Sequence, residues 1–450
     1  MRATDLGPPT RSRREHDREI LRLAGPALGA LATEPLYVLV DTAIVGTLGV
    51  AAIGGLAVAG IVLTATFAIF NFLAYSTTAA VARRVGAEDR RAAAARGVDG
   101  MWLAAGLGLL LAVVGILATP WIVRVMGASA AVAPDARTYL RISLLGAPAV
   151  LLALAGAGYL RGLQTTRPTL WIALGANALN LVVEVVLVFG LHLGIAGSAV
   201  GTVLAQTAAM AVYLVIVGRS ARATGARLVP SLAGMRATAV VGAHIVVRTA
   251  SLLLALLTAT AVAARISDTA LAAHQIAFQV WIFLALTVDA IAIAGHAMVG
   301  RLLGADDPTR ARTAARRMLE WGVVTGVVLG LLLALLRSLI VPWFTDDRAV
   351  QHLAEQVLLV VAVMQPVNAA VFVLDGVLIG AGDARYLAVA MAVASLGLFV
   401  PLALTVLALD RGLLALWAAL VVLMVARLLG LGMRYRGDRW LVTGAERGRA

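Results

Sequence analysis

Residues 21–45 read LRLAGPALGALATEPLYVLVDTAIV, an apolar run interrupted by two carboxylates, Glu34 and Asp41. A helix rises about 1.5 Å per residue and a bilayer core is roughly 30 Å thick, so a run of this length crosses a membrane as one helix. An acid inside such a span is costly, and its default reading is functional. Glu34 and Asp41 lie close to two helical turns apart, which puts both on one face, with Pro35 bending the backbone between them. That face is expected to line an interior cavity rather than lipid.

The rest of the composition agrees with a membrane protein. The chain is 61% hydrophobic and 14% charged, with a mean hydropathy of +0.94. Transmembrane barrels show short alternating segments, whereas these apolar runs are continuous and rich in Leu, Ala, Val and Gly, so the class is all-α polytopic. The net charge of +13 comes entirely from Arg, scattered between apolar runs instead of forming one stripe. That pattern sets topology and excludes a nucleic-acid partner. Cys is absent, which removes disulfides and thiolate metal sites. The pair Arg13-Arg14 precedes an apolar run too long for a cleaved signal, so that run is read as the first helix.

Twelve candidate spans begin near residues 21, 50, 98, 137, 168, 194, 237, 268, 317, 352, 386 and 412. Allocating Arg to alternating sides places 28 on one side and 7 on the other, Arg161 and Arg167 being counted with the basic side. The positive-inside rule makes the basic side cytoplasmic, with both termini there, and the plasma membrane the expected location. One offset of 218 residues recurs: Gly86-Ala-Glu-Asp89 with Gly304-Ala-Asp-Asp307, Pro148 with Pro366, Gly158 and Gly162 with Gly376 and Gly380, and Gly194 with Gly412. These landmarks in register indicate a duplication. The expected architecture is two pseudo-symmetric six-helix bundles, 21–218 and 237–434. A cytoplasmic segment 1–20, a linker 219–236 and a tail 435–450 complete it. An even number of spans per half runs the pseudo-two-fold axis along the membrane normal, with a substrate cavity between the halves.

Polar residues inside spans mark the candidate site. Asn177, Asn180 and Glu184 share one face of the fifth span and, with Glu34 and Asp41, make the first half an acidic pocket whose carboxyls can exchange protons with the cavity. The second half carries His244 and Arg248, then His274, Gln275, Gln279, Asp289, His296, Asn368, Asp375 and Arg427. Mixed signs suggest ion pairing, with Asp375 set against Arg427 or Arg248. Interhelical hydrogen bonding is the plainer role for each His, and Asp289 with His296, two turns apart, is the best exception. Glycine pairs four apart serve close helix packing. No phosphate loop, dinucleotide fingerprint, HExxH or GxSxG is present, so an enzyme is not expected.

Glu34-Pro-Leu-Tyr-Val-Leu-Val-Asp41, Val85-Gly-Ala-Glu-Asp89, Tyr159-Leu-Arg-Gly-Leu-Gln-Thr-Thr-Arg-Pro168, Asn180-Leu-Val-Val-Glu184 and Gln365-Pro-Val-Asn368 through Asp383 resemble the multidrug and toxic compound extrusion (MATE) transporters, in a DinF-like pattern. The resemblance covers nearly the whole chain. It implies a secondary antiporter that exports organic, cationic or amphipathic compounds in exchange for protons or sodium. Asp41 matches the family's cation-coupling acid, and Asn180 and Glu184 complete the pocket, with Glu184 where many relatives carry Asp. Asp41, Glu34 and Glu184 are thus the expected coupling groups, and Asp41, Asn177, Asn180 and Glu184 the substrate-binding set. His244, Arg248, Asp289, Asn368 and Asp375 are the second-half candidates. His244 and Arg248 on the seventh span, and Asn368 near the position of a tenth-span acid, argue against the sodium site of NorM-like relatives and favour protons. The expected partners are a small organic substrate and the bilayer, with the protein a monomer and no metal or other cofactor. The alternatives are sodium-coupled export and a lipid-linked-precursor flippase, which calls for a more cationic cavity than Arg248 and Arg427 provide.

Overall fold

A computed structural model describes residues 13–445 of the chain, with the side chains of residues 13–16 and of Glu34 outside what it describes. Twelve helical spans follow one another: α1 Arg13–Gly46, α2 Val50–Gly86, α3 Arg90–Val125, α4 Ala133–Leu145 with Ala147–Gly162, α5 Arg167–Gly190 and α6 Gly194–Ala223 in the first half. The second half holds α7 Leu232–Ile266, α8 Asp268–Gly304, α9 Pro308–Trp343, α10 Arg348–Gly380, α11 Ala384–Ala408 and α12 Gly412–Arg436. Eleven are each long and apolar enough to cross a membrane, and α4 qualifies as a pair bent by 48°. Its bend falls at Gly146 to Pro148, where proline lacks the N–H that the preceding turn needs. Large apolar side chains such as Leu39, Trp121, Leu335 and Trp343 face outward, as a lipid-facing belt requires.

Several boundaries differ from the sequence reading. α1 starts at Arg13 instead of near 21, and Asp17 and Glu19 in these two added turns are bonded to the second half. The linker expected at 219–236 is mostly helical: only residues 224–231 separate α6 from α7. Residues 1–12 and 446–450 of the expected terminal segments lie outside the described residues.

The repeated Gly-Ala-acid-Asp segments have a local explanation. Glu88 and Asp306 occupy the same left-handed backbone region, with φ of 58° and 59°. Asp89 then caps α3 by accepting from the Ala92 N–H at 2.8 Å, and Asp307 caps α9 by accepting from the Arg310 N–H at 2.9 Å. The internal symmetry also appears in packing. Gly158 and Gly162 of α4 rest on Ala74 and Thr78 of α2, and Gly376 and Gly380 of α10 rest on Ala292 and His296 of α8. Each of those four pairs of positions is related by 218 residues.

The halves meet at the end of the molecule where these turns lie. Gly86 packs on the carbonyl of Arg301 and Gly304 on the carbonyl of Arg83, again equivalent contacts, and a Cβ at either would collide with backbone. Arg83 donates to the carbonyls of Ala381 (2.8 Å), Val442 (2.9 Å) and Gly444 (3.0 Å), while the Gly444 N–H donates to Leu303 (2.9 Å). The expected tail therefore folds back as a strap over the junction. Ion pairs cross between the halves at this end: Arg301 of α8 donates to Glu19 of α1 at 2.8 Å, and two further clamps flank it. Asp99 of α3, fully buried, accepts from Arg227 (2.9 Å) and the Ser231 N–H (2.9 Å) at the entrance to α7. Arg317 of α9 donates to Asp17 of α1 at 2.7 and 2.9 Å, and Trp321 adds an indole N–H at 2.8 Å. Residues 99 and 317 are themselves 218 apart, so each half's third helix holds the beginning of the other half's first. Among the described residues, every side-chain hydrogen bond between the halves lies at this basic end.

Candidate functional site

Pro35 lacks the N–H that would bond the Leu31 carbonyl, loosening α1 nearly two turns before Asp41. Asp41 is nonetheless buried, at 4% exposure, because α6 brings Ser198 against it: Ser198 Oγ donates to Asp41 Oδ1 at 2.7 Å. Small residues allow that approach. Gly197 packs on Leu187 and Gly201 on the backbone of Glu184, closing α6 onto α5. Glu184, 1% exposed, faces Asp41 and Ser198 within hydrogen-bonding reach, and its Oε1 has no bonded donor. With its amide oriented to satisfy both groups, Asn180 donates to Glu184 Oε2 (3.1 Å) and accepts from the Thr202 N–H (3.0 Å). Tyr37 OH and Thr202 Oγ1 bond at 2.8 Å beside them. Immediately beyond Glu184, α5 ends in a π-helical turn, Val186–Gly190, a distortion often found where a helix presents functional groups.

Neither Asp41 nor Glu184 has an ion-pair partner among the described residues. Two facing buried carboxyls without a counter-ion repel each other when both are charged, which gives the pair an intrinsic attraction for a cation. Asn177 stands apart from this pair, its amide donating to the Thr33 carbonyl at 3.2 Å and tying α5 to α1. The side chain of Glu34 is outside the described residues.

The second-half candidates divide into two groups. His244 bonds the Val240 carbonyl of its own helix at 2.9 Å and joins no cluster. Asp375 of α10 accepts on one oxygen from Arg248 of α7 and from Arg427 of α12, both at 2.5 Å, so the expected pairing involves both arginines at once. Asp289 of α8 lies within electrostatic reach of Arg248 and Asp375, and His296 makes an edge contact with Tyr75 of α2 at 5.2 Å between ring centres. Asn368 is buried, and neither of its amide atoms has a partner. His274 belongs elsewhere, packed on Phe278 and Trp417 and bonded to Thr260 at 3.2 Å.

Residue-by-residue reading of the chain passed over Ser198, Thr202 and Tyr37, which complete the acidic pocket. A Ser and a Thr in a helix usually bond back one turn, as Thr202 also does to the Ser198 carbonyl at 3.1 Å, so their type carries little signal. Their spacing of one turn beside Gly197 and Gly201 was the available clue. Arg161 lies in the last turn of α4, half-buried, and makes no side-chain hydrogen bond or ion pair among the described residues.

A family model described as MatE matches the chain twice, over residues 26–186 and 245–405, once in each half. The chain is 32% identical to the DNA damage-inducible protein F of Escherichia coli, over 93% of this chain and 92% of that protein. It is 30% identical to Protein DETOXIFICATION 44, chloroplastic, of Arabidopsis thaliana, over 91% and 80%. A crystal structure described as MATE in the bent conformation superposes with a TM-score of 0.86 at 21% identity, covering 94% of this chain and 96% of that one. The doubled helical bundle, the buried acid of its first span and these matches agree: the chain is a multi-pass membrane protein and belongs to the MATE family of transporters.

Proposed function

We propose that this protein is a proton-coupled antiporter that exports organic, cationic or amphipathic compounds, with Asp41 as the coupling acid. The observation that carries the reading is the Asp41–Glu184 carboxyl pair, buried, bonded by Ser198 and without a counter-ion among the described residues. A cation and a proton compete for such a pair, which is the minimum that antiport needs. In this reading the closed, Arg-rich end is cytoplasmic by the positive-inside rule, and the cycle starts from the state closed there. In that state a proton from the exterior neutralises Asp41 and discharges the bound cation. α1 then rearranges at Pro35, and opening of the cytoplasmic end lets the proton leave and cargo enter. By linkage, protonation and cargo binding weaken each other equally. Relatives described as probable multidrug resistance proteins support the cargo class.

Sodium coupling through the second half is disfavoured by Arg248 and Arg427, which already neutralise Asp375. The test is proton release on adding ethidium to reconstituted protein, with and without sodium. Release that needs Asp41, and is indifferent to sodium, is the expected outcome. Release that persists in Asp41→Asn, or that appears only with sodium, refutes the assignment. Ethidium affinity of the wild type is further expected to fall as pH is lowered, because the added protons take the same carboxyls.

A further inference from the structure

The linker between α6 and α7 borders a crevice in the lipid-facing surface of the first half. Met101, Leu152 and Val217 form its buried floor and Trp102, Leu214 and Leu228 its exposed rim, around a cavity of about 250 Å³. The Trp102 indole N–H donates to the Leu228 carbonyl at 3.0 Å, which fixes the linker at one edge. A Cβ on Gly218, in the wall, would meet nothing within 4 Å, so the space there is open rather than packed. The lining is apolar and begins at Val98, about two turns into α3, with an aromatic side chain at the rim. That is the depth at which head groups give way to acyl chains.

The linker suits the same boundary. Val229 and Leu232 are 69% and 83% exposed, which is costly against water but not against lipid. Residues 219–236 hold four arginines, Arg219, Arg222, Arg227 and Arg236, and no acid. Arg222 lies one turn beyond Gly218 and two beyond Leu214, on the face of α6 that lines the crevice. It is exposed and makes no side-chain hydrogen bond or ion pair among the described residues.

From this arrangement we infer that the crevice binds an anionic phospholipid of the leaflet at the Arg-rich end, an acyl chain lying on Met101 and Val217 beside Trp102 and the phosphate at Arg222. Its place among membrane spans makes lipid, not a soluble protein, the neighbour of this surface. Apolar walls alone would accept a chain of any lipid. The free arginine, in a segment without acids, favours a net negative head group over a zwitterionic one. The same linker supplies Arg227 and Ser231 to Asp99, so the lipid braces the segment that clamps the halves together. Nothing in this inference depends on the coupling ion or the cargo.

The test is photocrosslinking of the full-length protein in phosphatidylcholine vesicles. Trace phosphatidylglycerol or phosphatidylcholine carries a diazirine in one acyl chain, and adducts are mapped by mass spectrometry. The phosphatidylglycerol probe is expected to label residues 98–105 and 214–218 about fivefold more than the phosphatidylcholine probe, the ratio that one arginine near the surface contributes. On the exposed Leu109 and Val113, farther along α3, the two probes should label alike. Gly218→Leu, whose Cβ has free space, fills the crevice and should lower labelling there by both probes at least fivefold. Arg222→Gln, a surface change that breaks no bond among the described residues, should keep the phosphatidylcholine label and abolish the preference. Equal labelling by the two probes in wild type, labelling that survives Gly218→Leu, or a preference unchanged in Arg222→Gln overturns the inference. Adducts spread evenly over the lipid-facing helices would mean boundary lipid only, and overturn it as well.

Discussion

Thr202 is the residue on which the acidic pocket converges. Its hydroxyl bonds Tyr37, its backbone N–H bonds Asn180, and Asn180 in turn holds Glu184. Replacing it by valine keeps the shape and removes the hydroxyl, leaving the Tyr37 phenol without its partner. Thr202→Val should cost about 0.5–1.5 kcal/mol of stability, the usual net worth of one hydrogen bond, since the pair is part-buried, read as a lower melting temperature in detergent. An unchanged melting temperature would mean that the pocket is wetter than this packing implies. The acids of the pocket were legible in the sequence because a carboxylate in an apolar span is conspicuous by its cost. Ser198, Thr202 and Tyr37 were not, because hydroxyls are tolerated anywhere along a helix.

At the level of helices, close packing is set by glycines whose neighbours are backbone. Gly376 lies on Ala292 with carbonyl and Cα in the path of any Cβ, whereas Gly106 has open space around it. Gly376→Val should therefore lower stability by about 1–3 kcal/mol, as overpacking does, while Gly106→Ala stays near neutral or gains through helix propensity. Thermal unfolding of the two variants in parallel decides this, and equal effects would contradict the packing. The span order and the duplication were readable at this scale, because apolar length and the 218-residue register are linear properties of the chain. What the Gly-Ala-acid-Asp segments do was not readable: as landmarks they showed a repeat, but their left-handed residue, helix cap and cross-half glycine contact emerge only when the two copies face each other.

For the whole molecule, opening the basic end requires breaking the clamps at Asp99 and Arg317. The Asp99 clamp joins a buried acid to a partly exposed arginine, so its loss should fall between exposed and buried pairs, about 1–3 kcal/mol. Asp99→Asn is accordingly expected to shift the population toward the form open at that end by roughly five- to 150-fold. The chain contains no cysteine, so spin labels on cysteines introduced at Ala87 and Ala305, both exposed, report the separation of the two turns without background. A distance distribution unchanged in Asp99→Asn would show that the strap, the glycine contacts and the ion pairs of Arg317 and Arg301 suffice to keep this end shut.

The two clamps have opposite polarity, and this bears on ancestry. An acid on α3 grips a basic entrance to α7, whereas a base on α9 grips an acidic beginning of α1. By the 218-residue offset Asp17 corresponds to Met235 and Arg227 to Pro9, so neither clamp is repeated in the other half. Duplication left two equivalent helices at equivalent places, and each now closes the seam with a partner its twin does not carry: the fold is symmetric where it packs and asymmetric where it locks.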